Sequence, residues 1–156
     1  MLTQLQNTIA EMDLVNEFKY SFREKPWHGK NALEIIEASD PEKVFVHWIP
    51  NAHSIAELVL HLSGWTNEVL ERLNGQAAKE PLRGDWPEIG ETSYEAWEKI
   101  VQEFRSAHQS LEEHITRMNS NDWERLAIDD RDDLEKSTCT YAEMVNGIIQ
   151  HLAYHA

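Results

Sequence analysis

Cysteine is almost missing from this chain: Cys139 stands alone, so no intramolecular disulfide can form and a reducing compartment fits. Basic residues are also scarce, with 14 Lys and Arg against 28 Asp and Glu, a formal charge of −14. No Lys/Arg cluster relieves that balance locally, which argues against nucleic acid and against anionic membrane as partners. Long apolar runs are absent as well, none approaching the roughly 18 residues that a bilayer span requires. The opening "MLTQLQNTIAEMD" carries acidic residues early and lacks a basic stretch followed by an apolar core, unlike a signal peptide. These absences lead to the expectation of a soluble, cytoplasmic protein. Nor does the chain contain G-x-S-x-G, a P-loop or G-x-G-x-x-G, which removes the commonest nucleophile and phosphate motifs.

What the chain does have is helical periodicity. Its 156 residues, 41% hydrophobic and 27% charged, suit one globular domain spanning residues 1–156. Leu2, Leu5, Ile9, Met12, Val15, Phe18 and Phe22 recur at steps of three and four and predict a first helix, ended near Pro26 and Gly29. "NALEIIEAS" predicts a short helix, and Asp40-Pro41 caps a single turn. Ser54 and Glu57 form an S-x-x-E capping box before a second long helix, with Ile55, Leu58, Leu62, Trp65, Val69 and Leu73 as its apolar stripe and Asn74-Gly75 as its stop. "QAAKEPLRGDWPEIGE" has no periodicity and predicts a loop.

A third long helix is expected from a box at Thr92 and Glu95, with Trp97, Ile100, Val101, Phe104, Leu111, Ile115 and Met118 on one stripe. The acidic connection of about 20 residues that follows is long for a structureless loop, so it predicts a cover over a site or a helical turn around Trp123. A box at Thr140 and Glu143 opens the last helix, through Met144, Val145, Ile148 and Leu152. The best strand candidate, "KVFVHWI", is short. Four long amphipathic segments predict an all-α four-helix bundle with long crossover connections.

Eight histidines carry the chemistry. His151 and His155 are four apart, so both rings share one helix face and can reach one ion. His61 lies between Leu58 and Trp65 on the second long helix, and inward-pointing imidazoles from two helices would meet in the bundle core. Three neutral nitrogens on a divalent ion leave coordination positions open, the mark of a reactive site. The residues alone leave the alternative of ordinary core histidines standing. His108, on the third stripe between Phe104 and Leu111, is either a core residue or a support for a ligand ring. Trp65, Trp27 and His28 are candidates for a pocket wall. His53, His47 and His114 are expected at turns or partly exposed, and Glu57 is occupied by its capping box. Cys139 precedes a helix start with no base nearby to activate it, and "DDRDDLE" lacks the glycine and spacing of a calcium loop.

The stretch "NAHSIAELVLHLSGW" followed by "NGIIQHLAYHA", with "PWHGKNALEIIEA" ahead of them, resembles the DinB/YfiT-like family of metal-binding four-helix bundles. The resemblance covers nearly the whole chain in the family's order. It implies a three-histidine site for a divalent metal ion, zinc or nickel, on His61, His151 and His155. It also implies a homodimer, and founding members of the family are tied to DNA-damage induction. Characterised relatives include S-transferases and isomerases that use low-molecular-weight thiols; others are classed as metal-dependent hydrolases. The function expected is therefore thiol-dependent transferase or hydrolase chemistry on a small molecule, the alternative being a non-catalytic metal or small-ligand sensor. Family members continue the last helix past its second histidine, whereas here only Ala156 follows. His155 is then expected in a terminal turn, with unpaired carbonyls, as the weakest ligand.

Overall fold

The computed structural model describes residues 14–27, 29–131 and 139–156. The early apolar positions Leu2, Leu5, Ile9 and Met12 of the expected first helix, and His28, lie outside them. Among the described residues six helices appear: α1 over residues 14–22, α2 Ala32–Glu37, α3 Ile55–Leu73, α4 Tyr94–Arg117, α5 Ser120–Trp123 and α6 Tyr141–His155. Among the described residues there is no strand, only an isolated antiparallel bridge between Leu126 and Thr140. "KVFVHWI" forms a turn and then irregular chain, its Val44 buried and its carbonyl accepting from Ala56 N–H.

Local chemistry sets the helix starts. In α3, Ser54 Oγ accepts from Glu57 N–H and the Glu57 carboxylate accepts from Ser54 N–H at 2.6 Å. Thr140 and Glu143 do the same for α6. Asn31 and Glu34 form a third box at α2, and Asn119 and Asp122 a fourth at α5, the turn expected around Trp123. α4 departs from expectation by one residue. Its cap is Ser93, extended at φ −118° and ψ 167°, with its hydroxyl accepting from Ala96 N–H. Glu95 then falls one position too early to reach back to the cap, and no reciprocal box forms.

The four long helices share one core. Phe18 and Phe22 of α1 pack against Phe104 and His108 of α4, and a bidentate Arg23–Glu112 pair ties the two helices at the surface. α3 packs along α4 and against α6. It carries more than the single stripe expected, because Ala56, Val59, Leu60, His61, Ser63, Thr66 and Glu68 are buried beside Leu62, Val69 and Leu73. A helix enclosed on so many sides is the centre of the bundle, and side chains projecting from it are held firmly.

The connection after α4 is not structureless. Tyr141 N–H donates to the Arg125 carbonyl and Ala127 N–H to the Cys139 carbonyl, clamping the segment after α5 to the start of α6. Asp129, in the acidic stretch "DDRDDLE", is buried, and Arg131 grips both of its carboxylate oxygens. Among the described residues no helix is long and apolar enough to cross a membrane.

Candidate metal centre

Where α3 and α6 meet, the structure brings His61, His151 and His155 together. The apolar positions Val145, Ile148 and Leu152 of α6 are buried. His151 and His155, one residue before and three residues after Leu152 and so four apart, share one face of α6, and both rings meet His61 of α3. One ring nitrogen from each histidine lies within 4.8 Å of the others. The rings stand nearly perpendicular in pairs, with centroids 4.9 Å apart for His61–His151, 5.1 Å for His61–His155 and 4.8 Å for His151–His155. His61 Nε2 and His151 Nε2 are 2.9 Å apart.

Two imidazole nitrogens on one tetrahedral ion, at 2.0–2.1 Å each, sit roughly 3.3 Å apart. Small side-chain rotations therefore bring these three to that spacing, so the donor set fits a single ion. Electrostatics points the same way. Burial lowers the His151 pKa to about 4, helped by the neighbouring His61 and His155. Burial and His61 lower that of His155 too. Both rings are thus neutral near pH 7, the state in which an imidazole offers a lone pair.

The centre has a wall and a brace that the sequence did not reveal, Trp86 and Asp85. The Trp86 indole stacks on His61 with centroids 4.0 Å apart, and His53 stacks on Trp86. His53 thus belongs to the rim of the centre rather than to a simple turn. Asp85 faces the other nitrogen of His61: its carbonyl lies 2.7 Å from Nδ1 and its carboxylate oxygen 3.3 Å. Trp65, expected as a pocket residue, donates its indole N–H to that same carboxylate at 2.7 Å. Asp85 and Trp86 lie in "RGDWPE", an aperiodic loop in which a Trp between Asp and Pro was the available signal.

Two other candidates fall elsewhere. His108 is fully buried among Phe18, Phe22 and Phe104, donates from Nδ1 to the Phe104 carbonyl and meets Thr66 Oγ1 through Nε2. It is a core histidine, the first of its two expected readings, and among the described residues it touches none of the three site rings, so it is not placed as a support for a ligand. Trp27 is 97% exposed, and among the described residues it is not one of the aromatic rings that stack around His61, His151 and His155. His47 binds Glu57, whose carboxylate is already engaged at the α3 cap.

Searches of the curated proteins and of the solved structures each return no match. The profile of one family, described as the DinB superfamily, matches residues 27–156. That span contains all three converging histidines, both helices that carry them and the loop that backs His61, and on this match the chain belongs to the DinB superfamily.

Proposed function

We propose that the chain binds one divalent metal ion, zinc or nickel, through His61, His151 and His155, and uses it in S-transfer from a low-molecular-weight thiol or in hydrolysis of a small molecule. The observation that carries the reading is the convergence of three imidazole nitrogens from two helices within 4.8 Å. An ion held there supplies a Lewis acid that makes a water or a thiol more acidic. His61, on the enclosed helix α3, is the fixed member of the set, and α6 delivers the other two. Trp86 covers one flank of His61 and restricts the approach of water from that side.

One observation favours a second reading, a non-catalytic metal or small-ligand sensor. Among the described residues no carboxylate or cysteine joins the three histidines. Asp85 lies on the Nδ1 side of His61, engaged by Trp65, rather than at the converging nitrogens. For either reading the family resemblance supports a homodimer, which sedimentation velocity would register as twice the 18.2 kDa chain.

Elemental analysis and zinc and nickel titration of the wild type, His61→Ala and His151→Ala test the metal reading. Stoichiometric binding that both substitutions abolish supports it; negligible metal in metal-replete buffer, or binding that neither substitution changes, sinks it. Assay of the loaded protein with thiol–electrophile pairs and with hydrolysable esters and amides then divides the two functions. Turnover supports the enzyme, whereas tight binding without turnover supports the sensor.

A further inference from the structure

The loop between α3 and α4 is laid along α3 in a regular way. Glu68, buried on α3, accepts from Lys79 N–H and from Arg72, whose guanidinium also donates to the Lys79 carbonyl. One helical turn nearer the start of α3, Pro81 packs against Gly64 so closely that a Cβ there would meet its ring carbon at 3.3 Å. Gly84, at φ +80°, closes a turn by donating to the Pro81 carbonyl, and Arg83 pairs with Glu103 on α4. One more turn along, Asp85 and Trp86 meet Trp65 and His61. The chain from 79 to 86 therefore runs antiparallel to α3 as a strap, fastened at residues 72, 68, 64, 65 and 61 of one face.

We propose that this strap is a positioning element for His61, in which Asp85 commits the ring to its Nδ1–H tautomer and so reserves Nε2 for the metal. The inference rests on the metal-binding reading above. A neutral imidazole carries one N–H, and the nitrogen facing an acceptor keeps it. Both acceptors of Asp85, carbonyl and carboxylate, face Nδ1. The lone pair is then left on Nε2, the atom that looks toward His151. Trp65 anchors the carboxylate, and the Trp86 ring over His61 opposes a flip that would exchange the two nitrogens. With the His61 proton on Nδ1, the 2.9 Å contact between the two Nε2 atoms uses His151 as donor. His61 would then meet a metal ion with its lone pair already on Nε2, whereas His151 would have to move its proton from Nε2 to Nδ1 to do the same.

The test uses the full chain, stripped by chelator and then titrated with zinc against a competing chelator, as wild type, Asp85→Ala, Asp85→Asn and Trp65→Phe. Long-range 15N–1H spectra of the metal-free protein report the His61 tautomer directly. The wild type should show Nδ1–H alone. Asp85→Ala removes the carboxylate but keeps the backbone carbonyl at Nδ1, so it should loosen rather than abolish the Nδ1–H preference and weaken zinc binding by about 10-fold, the lower end of the usual loss when a ligand's outer partner is removed. Asp85→Asn keeps an oxygen acceptor and should lose less; Trp65→Phe should fall between it and the wild type. A wild-type His61 carrying its proton on Nε2 overturns the proposal. So does an Asp85→Ala protein whose zinc affinity, within about twofold, is that of the wild type. If Asp85→Ala loses its helical circular dichroism, Asp85→Asn decides by the same readout. Failure of the wild type to take zinc refutes the metal reading alone, because the tautomer comparison needs no metal.

Discussion

Acid should weaken this fold through His108, a core residue outside the candidate metal centre. Its side chain is fully buried among three phenylalanines, and desolvation lowers its pKa from 6.5 to about 4 despite its hydrogen bond to the Phe104 carbonyl. The unfolded chain takes up a proton near pH 6.5, whereas the folded chain resists until about pH 4. The stability contributed by the neutral ring is therefore complete above pH 6.5 and is lost as pH falls toward 4. Linkage puts the loss from this one group at about 2 kcal/mol by pH 5 and about 3 kcal/mol near pH 4. The control is His108→Leu, which removes the titration without stranding a partner, because Thr66 Oγ1 still donates to the Leu62 carbonyl. Urea unfolding of both chelated proteins at pH 7.5 and pH 5, followed by circular dichroism, gives the difference. The wild type should lose about 2 kcal/mol more than the variant over that interval. Equal losses would refute the reasoning and mean that His108 is protonated in the folded protein or shielded in the unfolded one.

Three further outcomes follow from the geometry. The depressed pKa of His151, about 4, keeps that ring neutral below the usual histidine range, so the His151 ring signals of the metal-free protein should stay unshifted in an NMR pH titration from pH 7 to pH 5.5, and a shift centred near 6.5 would refute it. Excess metal should raise the stability of the wild type by about 2.7 kcal/mol at a hundredfold over Kd, seen as a thermal shift that His151→Ala lacks. Ser54→Ala deletes the oxygen that accepts from Glu57 N–H at the head of α3, and should cost about 1 kcal/mol in urea unfolding.

The parts of this molecule that were legible in the sequence are those decided within one or two helical turns. The boxes at Ser54 and Thr140 needed only a hydroxyl and a carboxylate three residues apart, and both stand as expected. At α4 two hydroxyls, Thr92 and Ser93, competed for the cap, and the Thr92–Glu95 spacing pointed to the wrong one. Periodicity put His61, His151 and His155 on inward faces, and pairing of α3 with α6 brought them together. The same periodicity put His108 on an inward face, where only its three phenylalanine neighbours, two of them on α1, distinguish core from site. Asp85 and Trp86 were invisible because their partners lie 20 or more residues away along an aperiodic loop. Nothing local in "RGDWPE" announces which ring it will meet.

The junction of α3 and α6 has a topological consequence. His61 and His151 are 90 positions apart in the chain, so an ion shared between them closes a loop over more than half of it. By the chain-entropy argument used for disulfides, a bridge of that span constrains the unfolded ensemble by up to about 4–5 kcal/mol. A protein with a single cysteine has no covalent way to make such a link. The three histidines would give it a removable one, fastening the last helix to the central one when metal is plentiful and releasing it to a chelator.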